Sequence, residues 1–308
     1  MKCKITGDKL SPFMSFGKMP SANGFLDENN FDNEFFYEME VGFSSKVSLL
    51  QLNEFSNPVK VHNDRYPFYT SSSLNMKKHF NQFAHWLKEK YLHHGSKLIE
   101  VGSNDGTLLE NFKNTNIEAV GFEPSITIAE LANKKNIKTL SKFFNTQNLD
   151  DIKNFHSSVD VICSANVIAH IPDLKDVIKC VDKLLSSKGL LIFEEPYLGS
   201  MFSKISYDQI YDEHIFMFSV NSIKKIFDLF DFELIDVLPQ VTHGGSMRYV
   251  IARKNKHKKS EIVSRFLDEE QNKKLDTIES CLDFKKACEL SKKMTIEKLN
   301  KFKSDNKK

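Results

Sequence analysis

The chain has 308 residues, 40% hydrophobic and 27% charged, and this composition is that of a folded globular protein rather than a disordered one. Its 43 Lys and Arg residues nearly balance 41 Asp and Glu residues, so the net charge of +2 gives no reason to expect a nucleic-acid or anionic-membrane partner. Five irregularly placed cysteines do not form a disulfide framework, which indicates a reducing compartment.

The sequence shows no targeting or membrane-spanning segment. Gly, Pro and polar residues interrupt the N-terminal stretch where a signal peptide has an unbroken apolar core. The most apolar later stretch, residues 159–171, is shorter than a membrane span and contains polar side chains. We therefore expect a soluble, cytoplasmic protein that binds neither nucleic acid nor membrane.

The two ends of the chain differ in character from its middle. Residues 1–72 are rich in Phe, Asn, Gly and Pro and contain short apolar runs, which predicts a small, irregular β-containing module. Residues 255–308 are Lys-rich with apolar residues at helical spacing. Because Asp and Glu are interspersed among the lysines, we expect a solvated amphipathic helical extension rather than a nucleic-acid-binding patch.

Strands and helices alternate along the middle part, residues 73–254. Two final strands, 232–239 and 246–253, are joined by a connection too short for a helical crossover, so they form an antiparallel pair. The pattern predicts a doubly wound α/β domain whose parallel sheet ends in this hairpin. Apolar runs that suit strands buried on both faces occupy residues 98–102, 119–123, 159–166 and 189–196, and the segments between them, among them TLLENF at 107–112, suit helices.

A glycine-containing turn joins the first of these strands to the next segment. Gly102 and Gly106 allow the backbone to turn sharply and a ligand to approach it closely. Glu123 ends the next strand, where nucleotide-binding βαβ units place the acid that binds ribose hydroxyls. Each feature alone fits an ordinary turn and a solvated carboxylate, but their joint spacing favours a nucleoside site.

This turn departs from the dinucleotide fingerprint, because Ser103, Asn104 and Asp105 follow Gly102 where further glycines would stand. An acidic residue in the turn would repel a pyrophosphate but suits a positively charged nucleoside without phosphates. S-adenosylmethionine fits this description, and NAD does not. The arrangement is similar to the cofactor site of class I methyltransferases, whose sheets also end in an antiparallel hairpin.

A second cluster of polar residues follows the strand at 189–196, at the edge where open α/β sheets bind ligands. Tyr211 and His214 share a face if their segment is helical. The alternative is that both fill a core beside Ile210 and Ile215, but so many polar groups beside a cofactor site favour a catalytic role. The cluster comprises Glu194, Glu195, Tyr197, Tyr207, Asp208, Tyr211, Asp212, Glu213 and His214.

The turn between the last two strands is a third candidate. His243 and Arg248 are suited to clamp an anion, and Gly244 and Gly245 would admit it closely. An ordinary hairpin turn explains the same residues equally well.

Taken together, these motifs resemble one family, the sugar C-methyltransferases that act on nucleotide-linked deoxy-keto-sugars in antibiotic and surface-glycan pathways. The similarity extends over about residues 1–300. It implies a Rossmann-like class I methyltransferase fold with a mostly parallel seven-stranded sheet and an antiparallel last strand, preceded by a small β-containing N-terminal module and followed by helices. The matching segments are YPFYTSSSLNMKKHF (66–80), EVGSNDG (100–106), SANVIAHIP (164–172), EEPYLGS (194–200), YDQIYDEH (207–214) and HGGSMRY (243–249).

The resemblance also implies methyl transfer from S-adenosylmethionine to C-3 of a 4-keto-6-deoxyhexose linked to a nucleotide diphosphate. Gly102 and its neighbours would lie along the methionine moiety, and Glu123 would hold the ribose. Phe143 or Phe144, together with the residues that end the 159–166 strand, would border the adenine and methionine ends. The implied cofactor residues are Glu100, Gly102, Asn104, Asp105, Gly106, Glu123, Pro124, Phe143, Phe144, Ala165 and Asn166.

Such chemistry requires a base, because carbon becomes nucleophilic only after the proton beside a ketone is removed, and a group that stabilises the resulting enolate. We assign His214 as the base, with Glu213 orienting it. Tyr211 donates to the enolate oxygen, and His170 is a second candidate base. The residues expected to contact the sugar nucleotide are Tyr66, Tyr69, Glu195, Tyr197, Tyr207, His243 and Arg248, the first two on the resemblance alone.

The sequence departs from the family at both ends. Relatives have a zinc-binding N-terminal module with two C-x-x-C pairs, of which only Cys3 remains here, and one thiolate cannot hold structural zinc. We therefore predict no zinc and a module held by apolar residues, such as those at 31–43. Relatives also continue into a further α/β domain, so some contacts to the sugar nucleotide are expected to be absent or reshaped.

Three other functions remain open. An O- or N-methyltransferase acting on a sugar nucleotide would need no base for a carbon acid. A catalytically impaired module would bind the cofactor or the sugar nucleotide without turnover. A nicotinamide-dependent sugar oxidoreductase is disfavoured by Asp105 in the turn.

Overall fold

A computed structural model describes residues 1–23, 25–61 and 66–305. The predicted N-terminal module and helical extension therefore each include a few residues outside the described ones, namely 24, 62–65 and 306–308. The strands are β1 (Ser11–Pro20), β2 (Phe36–Ser44), β3 (Leu49–Leu52), β4 (Lys97–Val101), β5 (Glu118–Phe122), β6 (Thr139–Leu140), β7 (Val159–Ala165), β8 (Leu185–Pro196), β9 (Phe216–Met217), β10 (Phe232–Gln240) and β11 (Ser246–Arg253). The helices are α1 (Pro58–Val61), α2 (Leu74–Lys90), α3 (Ile126–Lys134), α4 (Leu174–Leu184), α5 (Leu198–Lys204), α6 (Val220–Asp228), α7 (Glu261–Asn272) and α8 (Ile278–Ser304).

A seven-stranded sheet in the order β10-β11-β8-β7-β4-β5-β6 forms the centre of the molecule. Strands β8, β7, β4, β5 and β6 pair in parallel, and β11 pairs antiparallel with both of its neighbours. The predicted α/β fold with an antiparallel last strand is confirmed. Its buried strands are the continuous apolar runs of the sequence, because helices cover both faces.

Successive side chains of the central strands of this sheet enter two different hydrophobic cores. Along β4, Ile99 and Val101 pack on one face with Phe193 of β8, whereas Leu98 packs on the other with Val161 of β7. This is the alternation that strand geometry requires. Helix α2 covers the second face and is capped by Ser73, whose hydroxyl accepts a hydrogen bond from the Met76 amide at 3.3 Å.

One predicted helix is wrong. The segment TLLENF forms only a single 3-10 turn, Leu109–Phe112. The Asn111 side chain donates to the main-chain oxygens of Thr107 and Leu108, and such local bonds compete with an α-helix. Six residues are also too few to form a helix without help from packing.

The N-terminal module is a four-stranded antiparallel sheet in the order β1-β2-β3-β9. Its last strand, β9, belongs to the segment that directly follows His214. Leu50 pairs with Met217, and the Leu52 amide donates to the Ile215 oxygen at 2.9 Å. The module is thus joined to the α/β domain by shared main-chain hydrogen bonds beside the predicted reaction residues.

Two helices, α7 and α8, follow the last strand, and this confirms the predicted helical extension. On α7, the buried Glu270 accepts hydrogen bonds from the Val220 and Asn221 amides at the start of α6, at 2.7 and 2.8 Å. On α8, Cys281 and Phe284 pack against the N-terminal module. Within the described part of the chain, none of the helices combines the length and the apolar character that crossing a membrane requires.

Candidate functional site

A cavity of about 400 Å³ opens where the parallel strands β4, β5 and β7 end, the position at which open α/β sheets bind ligands. Its volume suits a small organic ligand. Nine of the residues expected to bind a cofactor line it: Glu100, Gly102, Asn104, Glu123, Pro124, Phe143, Phe144, Ala165 and Asn166. It is also lined by Tyr66, His170, Tyr211, Glu213, His214 and His243 from the expected reaction and substrate residues.

Gly102 shapes the wall of this cavity. Its φ of +69° is left-handed, and a Cβ at this position would lie 2.3 Å from Cγ2 of Val167. A side chain is therefore excluded by conformation and by close packing. Gly106 also has a positive φ, but a Cβ there would meet Ile137 at 2.8 Å, so this glycine serves the packing of the loop instead.

Asp105 does not line the cavity, in contrast to the expectation that its charge faces the ligand. Its carboxylate accepts hydrogen bonds from the Ser71 amide at 3.0 Å and the Thr107 hydroxyl at 2.6 Å. Burial alone would raise the pKa of Asp105, but these bonds and the charge of Lys135 lower it overall. Together with Asn104, which accepts from the Thr70 amide at 2.9 Å, Asp105 holds the segment before α2 against the turn.

Two of the buried carboxylates that line the cavity, Glu100 and Glu123, come from the ends of the strands β4 and β5. The oxygens of Glu123 accept hydrogen bonds from the Ser125 amide at 2.9 Å and the Asn104 amide at 3.0 Å, and burial raises the pKa of Glu123. Burial also raises the pKa of Glu100 well above its usual value, and the nearby charges of Asp105 and Glu123 add to this effect. A positively charged ligand would relieve the cost of burying these carboxylates.

Three buried oxygen atoms beside the cavity have no hydrogen-bond partner among the described residues. They are Oε2 of Glu100, Oγ of Ser103 and Oδ1 of Asn166. Buried acceptors without partners are costly, and a ligand that donates hydrogen bonds would satisfy them. The hydroxyl, ammonium and sulfonium groups of S-adenosylmethionine match this set of acceptors and negative charges, so the residues present fit that cofactor.

His214 is buried beside Tyr211 in the lining of the cavity. Its Nδ1 lies 2.7 Å from the main-chain oxygen of Gln209, and its Nε2 lies 3.2 Å from the Tyr211 hydroxyl. A carbonyl oxygen only accepts, so Nδ1 carries the proton of the neutral ring and Nε2 accepts the hydrogen bond from Tyr211. Burial lowers the pKa of His214 to about 4, which keeps the imidazole neutral at physiological pH.

Glu213 is not placed to orient His214, and this part of the sequence-based assignment is corrected. Residues 211–214 form a turn rather than a helix, so the neighbouring side chains diverge. Oε2 of Glu213 lies 3.7 Å from Nδ1 of His170 instead, and the ring centroids of His170 and His214 are 5.1 Å apart. The main-chain oxygen of Gln209 takes the orienting role at His214.

Several residues expected to contact the sugar nucleotide lie outside the cavity lining. The guanidinium of Arg248 pairs with Glu194, with its Nε 2.7 Å from Oε1, and lies over the Phe83 and Trp86 rings. The Glu194 carboxylate compensates the Arg248 cation within the protein and also lies 2.6 Å from Nε2 of His79. These contacts give Arg248 a structural role. Of the two residues expected to clamp an anion, His243 lines the cavity and Arg248 does not.

Tyr197 and Glu195 were also expected to contact the sugar nucleotide, and both make contacts within the protein. The Tyr197 hydroxyl donates to Glu270 at 2.8 Å. Oε1 of the fully buried Glu195 accepts hydrogen bonds from the Val167 and Ala169 amides at 3.0 and 3.1 Å, so Glu195 holds the turn that presents His170. Tyr69 and Tyr207 likewise do not line the cavity.

Among the cavity-lining residues that sequence inspection missed are Asn23, Val167 and Gln209. Gln209 lies within the YDQIYDEH segment, but its contribution is a main-chain oxygen, which no residue type reveals. Val167 follows the recognised Asn166. Asn23 belongs to the N-terminal module and carries no local signal of a role in the site.

The Cys3 thiol lies in the hydrophobic core, 2% exposed, near Ile5 and Leu10. Across residues 1–23, 25–61 and 66–305, no group of three or more His, Cys, Asp or Glu side chains is arranged to hold a metal ion. The absence of zinc stays a prediction.

Three family models match consecutive parts of the chain. The model of a methyltransferase domain matches residues 72–237, and that of a C-methyltransferase C-terminal domain matches residues 241–308. The model of a zinc binding domain matches residues 3–61, the part in which only one of the expected cysteines is present.

Among curated proteins, C-methyltransferase NovU from Streptomyces niveus is 28% identical over 249 residues, which are 80% of this chain and 59% of NovU. The chain thus spans about three fifths of the length of this relative.

Two solved structures are similar at lower identity. Magnesium protoporphyrin IX methyltransferase from Synechocystis, with bound S-adenosylhomocysteine, is 14% identical with a TM-score of 0.47, covering 66% of this chain and 90% of that one. The PH0226 protein from Pyrococcus horikoshii is also 14% identical with a TM-score of 0.47, covering 61% of this chain and 95% of that one.

Proposed function

Because the chain belongs to the methyltransferase family whose domain model matches residues 72–237, we propose that it is an S-adenosylmethionine-dependent C-methyltransferase and that it methylates C-3 of a nucleotide-diphosphate-linked 4-keto-6-deoxy sugar. The family membership supports the reaction class. The choice of a keto-sugar is supported by the motif resemblance and by a reaction centre that contains two histidines, a tyrosine and a carboxylate on one side of the cavity.

The cofactor would occupy the part of the cavity between Gly102 and Asn166. Glu123 would accept hydrogen bonds from the ribose hydroxyls, and Glu100 would face the positively charged methionine end. When bound, S-adenosylmethionine supplies an electrophilic methyl group carried by a cationic sulfur. Phe143 and Phe144 would cover the adenine.

His214 would remove the proton at C-3 of the sugar. Its neutral tautomer leaves the Nε2 lone pair on the side of Tyr211, and the hydrogen bond to Gln209 fixes the plane of the ring. A base with a low pKa is weak, so deprotonation needs strong stabilisation of the enolate that forms. The neighbouring Tyr211 hydroxyl would provide this stabilisation.

Tyr211 would donate its hydroxyl proton in a hydrogen bond to the enolate oxygen at C-4. Burial raises the pKa of Tyr211, with further contributions from the charges of Glu213 and Asp212, so the hydroxyl stays protonated. In the structure this hydroxyl donates to His214 Nε2. A bound keto oxygen would replace the imidazole as its acceptor and free the lone pair for the substrate proton.

His170 is the alternative base. Its Nδ1 faces the Glu213 carboxylate at 3.7 Å, an arrangement in which the carboxylate would stabilise a protonated imidazole. The two histidines are separable by experiment, since only one of them removes the substrate proton.

Exchange of the C-3 proton with solvent tests the proposal without methyl transfer. The protein is incubated in D₂O with a nucleotide-linked 4-keto-6-deoxy sugar and S-adenosylhomocysteine, and deuterium at C-3 is followed by NMR. We expect exchange well above the protein-free rate, and loss of exchange in the variant that lacks the base. Methyl transfer to oxygen or nitrogen without any C-3 exchange would instead identify an O- or N-methyltransferase.

A further inference from the structure

A turn of the N-terminal module, residues 21–23, reaches into the reaction centre of the methyltransferase domain. It follows directly after strand β1, which ends at Pro20. The Ala22 amide donates to Oδ1 of Asp212 at 3.1 Å, and the Asn23 side-chain amide donates to Oε1 of Glu213. Asn23 also lines the cavity, so a residue distant in sequence contacts the group that faces His170.

The position of this turn is fixed from both sides. The hydroxyls of Ser21 and Ser56 are hydrogen bonded to each other, which ties the turn to the segment after β3. On the other side, Leu52 of β3 donates to the Ile215 oxygen just beyond the reaction residues. The module therefore holds the segment that begins at Asp212 through the Ala22 contact and through strand pairing.

Glu213 stands among several groups that set its orientation. Asp212 repels its carboxylate, His170 attracts it when protonated, the Tyr66 hydroxyl donates a hydrogen bond to it, and Tyr211 lies within electrostatic range. Burial raises the pKa of Glu213, whereas the hydrogen bond from Asn23 favours the ionised form. The contact with Asn23 occupies Oε1, which leaves Oε2 on the side of His170.

We propose that Asn23 is a positioning residue of the reaction centre, which holds the Glu213 carboxylate toward His170 and makes the N-terminal module part of the catalytic site. Its effect on Glu213 is independent of the substrate. Its effect on turnover rests on the proposed function.

The test compares Asn23→Ala with Asn30→Ala, a change of the same residue type at an exposed position of the same β1–β2 connection. In the full chain labelled with ¹³C at glutamate carboxyl groups, the Glu213 resonance is assigned by its absence in Glu213→Gln. We expect Asn23→Ala to move the titration midpoint of Glu213 to higher pH, because a donor to the carboxylate is lost. Asn30→Ala should titrate like the wild type.

The kinetic arm measures kcat and KM with S-adenosylmethionine and a keto-sugar. Asn23→Ala should lower kcat by about tenfold and leave KM for the methyl donor within about twofold, since the cofactor residues are untouched. An unchanged Glu213 titration in Asn23→Ala, or an equal shift in Asn30→Ala, would overturn the inference. If the wild type methylates none of the sugars, the proposed function fails, and the titration still decides the role of Asn23.

Discussion

The imidazole rings of His170 and His214 lie 5.1 Å apart, tilted by 54°, on one side of the cavity. Their polar surroundings differ. His214 is held by the Gln209 main-chain oxygen and the Tyr211 hydroxyl, whereas His170 faces the Glu213 carboxylate. The first environment favours a neutral ring with an available lone pair, whereas in the second a carboxylate faces the ring.

Substitution of His214 tests the assignment of the base. We expect His214→Ala to lower kcat by at least about 100-fold, because the group that accepts the C-3 proton is lost. Tyr211→Phe should lower kcat by about tenfold or more through the loss of one donor to the enolate oxygen. Steady-state methylation assays measure both. If both variants retain wild-type turnover while His170→Asn abolishes C-3 exchange, His170 is the base.

Replacement of Gly102 tests the shape of the cofactor cavity, and Gly95 offers a matched control. Both glycines have a positive φ, but a Cβ at Gly95 would meet no atom within 4 Å, whereas one at Gly102 would clash with Val167. Gly95→Ala should cost about 1 kcal/mol of stability and leave binding of S-adenosylhomocysteine unchanged. Gly102→Ala should weaken that binding by at least about tenfold in calorimetry.

A compensating change refines this test. Val167→Ala combined with Gly102→Ala removes the clashing methyl groups and should restore part of the affinity. If Gly102→Ala and Gly95→Ala bind S-adenosylhomocysteine equally well, Gly102 does not shape the cofactor site.

The burial of the Glu195 carboxyl group predicts that the stability of the protein depends on pH. Burial raises the pKa of Glu195 to about 8 in the folded protein, although hydrogen bonds from the Val167 to Ala169 amides oppose this shift. A raised folded-state pKa contributes stability that is fully present below the unfolded value of about 4.5 and is lost as the pH rises through 8. Glu195→Gln, which stays neutral, should therefore be more stable than the wild type at pH 8 by up to about 5 kcal/mol.

Thermal unfolding at several pH values measures this difference, which should vanish near pH 4.5. The Glu195→Ala variant is the control, because it loses the hydrogen bonds to the His170 turn at every pH. A constant difference between wild type and Glu195→Gln across this range would contradict a buried carboxyl group that titrates near pH 8.

Metal analysis tests the prediction about the N-terminal module. With a single buried cysteine, Cys3, in the part that matches the zinc-binding model, we expect less than stoichiometric zinc in the purified protein and no loss of stability on treatment with a chelator. One tightly bound zinc ion per chain would contradict this expectation.

The sequence predicted the parts of the fold that depend on local pattern. The strands that end at Val101, Phe122 and Ala165 are apolar runs, and the glycine and acid that follow them mark the cofactor side of the cavity. The short turn after Gly106 escaped prediction, because side-chain to main-chain bonds of Asn111 decide its form.

The reaction side was only partly predictable. Tyr211 and His214 contact each other, although their segment is not the helix on which that expectation rested. The partner of Glu213 is His170, and the orienting group at His214 is a main-chain oxygen. Arg248 was expected to face an anion and instead pairs with Glu194. These pairings depend on side-chain directions across distant segments, which residue types and spacing do not specify.

The central claim is methyl transfer to carbon, and the fate of a labelled methyl group tests it most directly. The protein is incubated with S-adenosylmethionine carrying a ¹³C-methyl group and with nucleotide-linked 4-keto-6-deoxy sugars, and the product is examined by two-dimensional NMR. We predict that the labelled methyl group is bonded to C-3 of the sugar, with the C-3 proton of the substrate lost. A labelled methyl group on oxygen or nitrogen, or no transfer from a protein that binds both ligands, would contradict the claim.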